Sequence, residues 1–361
     1  MNQDNFKKLI SGQKTGLGAG LLRLILGVAA GGYSVAVRLR NYLYSKEWLK
    51  FHRADAVVIS VGNITVGGTG KTPLVIWLCK EIISDSRFHI SNSQCAILTR
   101  GYKAAKDAGD EPAILAEGCP EVKVIINPDR IAGAIQAISK FGAKILIMDD
   151  GFQHRRLGRD LDIVAIDATL PFGYGRMLPA GLLREPITSL KQADAAVITR
   201  CDQITEIELS EIEKKLSAIN PNMIIARSIH SPAYVKTTDN KEISLDHLKG
   251  KKIFAFCGIG NPGAFLNTIK SLSCNIAGEK VYNDHHYYTK DCLADIYEQA
   301  ECLKADLILT TQKDWTKIKW LALLKKDIPP GYIGIEIKFL AGEDKLRGLI
   351  EKTLAGKIPQ K

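Results

Sequence analysis

Residues 65–72 read Thr65-Val66-Gly67-Gly68-Thr69-Gly70-Lys71-Thr72. They follow an apolar run, residues 56–61, and precede a segment in which Leu74, Val75 and Leu78 share one helical face. A glycine-rich turn between a strand and a helix N-terminus is an anion cradle. Its backbone N–H groups point at phosphate oxygens, and the helix dipole adds positive potential. In such a loop Lys71 reaches the β- and γ-phosphates and the Thr72 hydroxyl holds Mg²⁺. The chemistry is binding of a nucleoside triphosphate, with transfer or hydrolysis of its terminal phosphate. One position departs from the usual pattern, since Thr65 stands where a glycine normally opens the loop.

A second group lies about 80 residues on. Residues 144–150 form an apolar run that ends in Asp149 and Asp150. Beside a phosphate loop, a carboxylate at a strand end orients Mg²⁺; taken alone, it also suits a turn or a helix cap. Gly151 then permits a tight turn, and Gln153, His154 and Arg155 follow on the ligand side. Residues 176–186 are rich in proline and glycine, so they make a shaped loop rather than a helix. That loop carries Arg176 and Arg184, whose guanidinium groups suit phosphate. Arg100-Gly101-Tyr102 leaves another strand end and leads to Gly109-Asp110-Glu111-Pro112, which by composition is a solvated turn. Farther along come Gly258-Ile259-Gly260-Asn261-Pro262, Asn283-Asp284-His285-His286-Tyr287 and Thr311-Gln312-Lys313-Asp314. Adjacent histidines beside an aspartate suit a metal site, and equally a general base with an orienting acid.

These residues need elements to hold them. Continuous apolar runs at 57–61, 95–99, 122–126, 145–149, 163–167 and 196–199 predict the strands of a parallel sheet covered on both faces. Helices are expected at 72–86, 130–140 and 205–218. The fold class is α/β: a layered α/β/α domain of the phosphate-loop NTPase type, then a second, smaller α/β domain with runs at 253–257, 306–310 and 332–337. The expected organisation is an N-terminal basic and apolar helical segment at 1–50, a phosphate-loop domain at 51–228, a linker at 229–246, a second domain at 247–345 and a C-terminal helix or tail at 346–361.

The chain has 361 residues and a net charge of +10, which suits phosphates or an acidic membrane face. No Lys/Arg block with interleaved aromatics appears, so nucleic acid is not the expected partner. The 8 cysteines are scattered and none forms Cys-x-x-Cys, which points to reduced thiols in a cytoplasmic protein. Residues 24–37 carry no charge and are bounded by Arg23 and Arg38. Such a run is short for a span of about 20 residues. With Lys7, Lys8, Lys14 and Arg40 nearby, it suits a helix lying at an anionic membrane surface; a helix packed on the domain and a short tilted span are the other readings.

Taken in order, these motifs resemble the tetraacyldisaccharide 4'-kinases, the lipid A 4'-kinases of Gram-negative bacteria. The resemblance is carried by Gly62-Asn63 with residues 67–73, by Arg100–Tyr102, Gly109–Pro112, Asp149–His154, Leu178–Pro186, Gly258–Pro262, Asp284–His286 and Thr311–Asp314, and it runs from about residue 15 to 345. Thr65 is what the loop of this family shows, whereas Leu182 stands where the family usually has proline. The resemblance implies transfer of the γ-phosphate of ATP to the 4'-hydroxyl of an acylated glucosamine disaccharide 1-phosphate, giving lipid IVA. It implies Mg²⁺ held by Thr72, Asp149, Asp150 and Glu111, and an acid–base pair, Asp110 and His285, that activates the sugar hydroxyl beside Lys71. The pair is expected in two different domains, meeting across a cleft. His286 competes with His285 for that role. Gln153, His154, Arg155, Arg176, Arg184 and Arg130 are expected at the substrate; Arg130 equally suits a surface arginine opening a helix. The expected location is the cytoplasmic face of the inner membrane, peripheral or N-terminally anchored. The alternatives are a phosphate-loop ATPase acting as a metallochaperone or regulator, and a membrane-peripheral module switched by nucleotide. Thr199-Arg200-Cys201-Asp202, at another strand end, is a candidate for reading the purine or an ordinary turn.

Overall fold

The computed structural model describes residues 3–84, 94–101, 110–239, 241–284, 286–321 and 328–357, and of residues 3, 4 and 110 the backbone alone. In chain order the elements are α1 Gln3–Ile10, α2 Leu17–Ser45, β1 Val57–Gly62, α3 Lys71–Ser84, β2 Cys95–Thr99, α4 Asp110–Gly118, β3 Lys123–Ile126, α5 Arg130–Phe141, β4 Ile145–Asp149, β5 Leu161–Asp167 and β6 Ala195–Thr199. They continue with α6 Glu206–Ile219, β7 Ile224–Thr237, β8 Glu242–Ile243, β9 Lys252–Cys257, α7 Pro262–Ser271, β10 Asn275–Val281, α8 Lys290–Cys302, β11 Leu307–Thr311, α9 Gln312–Ile318, β12 Pro330–Ala341 and α10 Glu343–Ala355. The chain folds as two compact units that are not contiguous in sequence. Unit 1 comprises residues 1–102, 118–229 and 338–361; unit 2 comprises 103–117 and 230–337.

In unit 1 the strands run β7-β6-β5-β1-β4-β2-β3, all parallel. Every residue of β1, β2, β4 and β6 is buried, which is why these segments read as unbroken apolar runs. The register Val61↔Asp149 aligns the end of β4 with the point where β1 enters the glycine loop, and β5, paired at Val61↔Ile163, runs on past it to Asp167. The chain then crosses to β2 with β4 between, the strand-order reversal at which open α/β sheets bind ligands. Helix boundaries follow local chemistry. The Asp129 side chain caps α5 by accepting from the Ile131 and Ala132 amides, and Gly142 ends it at φ 64°. Thr205 and Glu208 form a reciprocal capping box on α6.

Unit 2 carries the order β10-β9-β11-β12, all parallel. The stretch that reads as a linker is strand instead. β7 pairs with β6 through residues 224–227, and at Val235 and Lys236 it pairs antiparallel with β8. Its mixed burial, with Ser228, Val235 and Thr237 buried between half-exposed neighbours, hides it from a search for continuous apolar runs. Residues 103–117 also belong to unit 2. Glu117 of α4 accepts from Lys236 Nζ at 2.9 Å, Tyr332 Oη at 2.6 Å and Gln312 Nε2 at 3.4 Å, an anchor between residues 119 to 215 positions apart. Such contacts leave no periodic trace in sequence.

Helix α2 extends well beyond the charge-free run, to 29 residues. Ala30 and Val37 are its only buried residues. Leu17, Leu21, Leu24, Ile25, Val28, Val35 and Leu39 are each more than half exposed. Among the described residues it is the one helix long and apolar enough to cross a membrane by length and composition.

Candidate active site

The glycine loop sits at the C-terminal end of β1 in unit 1, braced from three sides. Behind it, buried Asn63 donates to Thr65 O at 2.8 Å and Thr69 Oγ1 at 3.1 Å, and Gln153 Nε2 donates to Asn63 O at 2.6 Å. From the end of β6, Thr199 Oγ1 donates to Thr69 O and Arg200 Nη2 to Gly68 O, both at 2.9 Å, while Arg200 Nη1 pairs with Asp167. From the proline-rich loop, Val66 N donates to Leu182 O and Arg184 N to Ile64 O, each at 2.8 Å, so Thr65 faces Leu183 as in a short antiparallel ladder. Thr65 is buried in that ladder; a β-branched residue suits the strand-like leg where a glycine would weaken it.

The crest of the loop, residues 66–68, is exposed. Gly67 takes φ 126° and Gly70 φ 84°, conformations that L side chains avoid. A Cβ on Gly67 or Gly68 would meet nothing within 4 Å, so the space at the crest is open. Below them Gly62 has no room for a side chain: a Cβ there would lie 2.5 Å from that of Phe152.

Charge is concentrated beside Lys71, the first residue of α3. Its Nζ lies 3.3 Å from Asp150 Oδ1, and Arg184 Nη1 donates to Asp150 Oδ2 at 2.9 Å. Burial pushes the Asp150 carboxyl up, but Lys71 and Arg184 outweigh it and hold it below its ordinary value. Asp150 is therefore a carboxylate at neutral pH. Asp149 is buried at the end of β4, where its side chain accepts from Thr99 Oγ1 at 3.3 Å and its carbonyl from Arg130 Nη2 at 3.2 Å. Arg130 opens α5 yet is buried, not a surface residue. His154 is pushed below its ordinary value by burial and by the Arg130 charge. Arg155 faces a cavity of about 600 Å³ that is also lined by Arg38, Asn41, Tyr42, Arg159 and Asp162. Arg176 is exposed, on a turn where its carbonyl accepts from Leu183 N at 3.1 Å.

The family assignment rests on comparison. The family model for tetraacyldisaccharide-1-P 4'-kinase, LpxK, matches residues 22–355. Proteins named tetraacyldisaccharide 4'-kinase from Halothermothrix orenii and Syntrophus aciditrophicus are 35% and 36% identical, covering 92% and 87% of this chain and 93% and 89% of their own. A crystal structure of LpxK from Aquifex aeolicus in complex with ATP is similar at 29% identity with a TM-score of 0.70, covering 92% of this chain and 99% of that one. The chain belongs to the tetraacyldisaccharide-1-phosphate 4'-kinase family. It is an ATP-dependent kinase of lipid A synthesis, with the mixed α/β fold and large parallel sheet of that family.

In this kinase the remaining sequence candidates lie in unit 2. Asp110 and Glu111 open α4; the Asp110 side chain lies outside the described residues, and Glu111 is half-buried. His285 lies outside the described residues as well. Its neighbours Asp284 and His286 belong to unit 2, as do the α4 residues up to Glu117; the expected meeting of Asp110 and His285 falls outside the described residues. His286 stacks on Tyr282 at 4.3 Å between ring centroids, with its Nε2 3.6 Å from Cys292 Sγ. Burial and the Lys317 charge keep it below its ordinary value. Asp284 Oδ1 lies 3.4 Å from Lys313 Nζ. Asp314 is fully buried and accepts from Gly258 N at 2.9 Å and Thr311 Oγ1 at 2.8 Å. Asp314 therefore ties the Gly258 turn to the start of α9, which is organisation of unit 2. Among the described residues no three His, Cys, Asp or Glu side chains cluster as a metal site. Asn63, Asp167, Thr199 and Arg200 were not among the sequence candidates as loop braces. Their signal was polar residues at the ends of otherwise apolar strands.

Proposed function

We propose that unit 1 holds the nucleotide and unit 2 supplies the proton chemistry of 4'-phosphorylation. The observation that carries the first half is the open glycine crest beside the Lys71–Asp150–Arg184 cluster. Thr72, the second residue of α3, and the Asp149 and Asp150 carboxylates fit a divalent cation of the Mg²⁺ type, which takes few protein ligands and keeps phosphate oxygens and water as the others. Bound with ATP, Mg²⁺ supplies neutralisation of phosphate charge. Lys71 binds and orients the terminal phosphates, and Asp150 holds its ammonium in place until they arrive. The loop braces from Asn63, Thr199 and Arg200 keep the amides aimed at the phosphates, so little reorganisation is needed at the moment of transfer. Glu111 assists the cation or the positioning of α4.

Asp110 and His285 take the proton from the acceptor hydroxyl, as the family resemblance implies. Arg155, with Arg38 and Arg159 around one cavity, fits an anionic group of the lipid disaccharide; Gln153, His154, Arg130 and Arg176 complete the acceptor side. The product is lipid IVA. Helix α2 docks on an anionic membrane at the cytoplasmic face, where ATP is available and where the eight free thiols stay reduced. Each Leu or Ile of its exposed face contributes roughly 1.5–3 kcal/mol on leaving water, and the basic residues around it add attraction to acidic headgroups.

Incubation with γ-labelled ATP and the disaccharide 1-phosphate tests the reading. Label moving into the lipid phase, and lost in Lys71→Ala and His285→Ala, supports it. Label only in free phosphate indicates an ATPase. Sedimentation with phosphatidylglycerol vesicles but not with phosphatidylcholine vesicles supports the membrane assignment.

A further inference from the structure

We propose that Glu185 is a positioning residue that couples helix α2 to Arg184, and so to the Lys71–Asp150 pair; the inference rests on the reading of Lys71 as the phosphate-binding lysine. Glu185 is fully buried although it lies next to a loop arginine at the site. A buried carboxylate is tolerated only when paired and hydrogen-bonded. Most of its partners come from α2, about 145 residues away in sequence. Arg40 Nη2 pairs with Oε1, Asn41 Nδ2 donates to Oε2 at 2.7 Å, and Ser189 Oγ donates to Oε2 at 3.0 Å. About two turns earlier on the same helix, Tyr33 Oη donates to the carbonyl of Arg184 at 3.0 Å.

Arg184 is thus held at three points. Its carbonyl is bound by α2, its amide donates to Ile64 O at 2.8 Å, and its guanidinium donates to Asp150 Oδ2 at 2.9 Å. The rest of α2 offers little reason for such a junction, since Ala30 and Val37 are its only buried residues. The contacts at Tyr33, Arg40 and Asn41 are what tie an otherwise exposed apolar helix to the phosphate-binding end of unit 1. A helix that meets the lipid surface therefore also sets the frame from which Arg184 reaches Asp150. Glu185 touches none of the reacting groups and acts through its neighbour.

The test uses the full chain in detergent micelles with ATP and the disaccharide 1-phosphate. Arg40→Ala is expected to lower kcat by about tenfold while the KM for the lipid stays within about twofold, because a shift of ångström size at a positioned group costs rate rather than acceptor affinity. Arg40→Lys, which keeps the charge, is expected to recover most of kcat. Glu185→Gln is expected to lose at least as much as Arg40→Ala; where it fails to fold, the half-exposed Arg40 decides, with the thermal midpoint read on the same sample. A folded Arg40→Ala with wild-type kcat overturns the proposal, as does a loss that follows only the unfolded fraction or that Arg40→Lys does not restore. Lys71→Ala separates the two levels. Inactive Lys71→Ala with normal Arg40→Ala removes this inference alone, whereas active Lys71→Ala removes the underlying reading with it.

Discussion

The phosphate-loop end of unit 1 and the Gly258–Asp314 region of unit 2 are built alike and do different things. Each is a turn leaving a buried parallel strand, and each has a buried carboxylate nearby. In unit 1 the crest of the loop is open, with nothing within 4 Å of a Cβ on Gly67 or Gly68, and the carboxylate of Asp150 answers two cations. In unit 2 the turn is filled. A Cβ on Gly258 would lie 3.0 Å from Tyr288 Oη and 3.1 Å from His286 Cβ, and Asp314 binds the Gly258 amide itself. The same strand-to-helix geometry can receive a ligand only where the space over the turn is left open. Where a carboxylate of the chain already accepts from its amide, the turn is structural.

The contrast can be broken most severely at Lys71. Lys71→Ala should lower turnover by at least about 10²-fold, on the scale of losing one preorganised charge-stabilising donor, and should weaken binding of a fluorescent ATP analogue. A mutant that keeps both would erase the difference between the two turns. Next in size is Asp314→Asn, which leaves the Gly258 amide and Thr311 hydroxyl poorly matched. Chemical denaturation should show a loss of about 1–3 kcal/mol, with nucleotide binding unchanged; a loss of nucleotide binding would show that the filled turn is also functional. Asn63→Ala sharpens the comparison from the other side. It removes the bonds to Thr65 O and Thr69 Oγ1 and should weaken nucleotide binding several-fold at a stability cost of about 1 kcal/mol.

The smallest effect concerns the two histidines. His154 is lowered by burial and Arg130, His286 by burial and Lys317. NMR titration should place both below the ordinary value of 6.5, and Lys317→Met should move His286 upward and leave His154 in place. Because folding depresses both values, the neutral rings contribute stability that is present above pH 6.5 and lost as pH falls through the folded values. His286→Gln should flatten the fall of the thermal midpoint between about pH 7 and 5.

Much of unit 1 was legible in the sequence. Strands 95–99 and 145–149 are observed with those bounds, and 57–61 differs by a single residue, since a strand covered on both faces is written as an uninterrupted apolar run. Helices at 130–141 and 206–219 start directly after the residues that cap them, Asp129 and Thr205. Other elements carried weaker signals. β7 mixes buried and half-exposed residues, and β10 has no fully buried residue, so neither shows a continuous apolar run. The 29 residues of α2 include Arg23, Arg38 and Arg40, and an estimate of helix length that stops at charges ends too soon.

By itself the sequence determined the glycine loop, the lysine and threonine that follow it, the acids at the end of β4 and, through the order of its motifs, the family. These are local facts, because a turn conformation and a strand end depend on neighbours within a few residues. Only the tertiary structure decided that residues 103–117 fold with unit 2, that Arg184 answers Asp150, and that Glu185 is buried among side chains of α2. Those contacts join positions 34 to 215 residues apart. Nothing in the spacing of a chain records which distant polar groups will be brought together to satisfy one another once water is excluded.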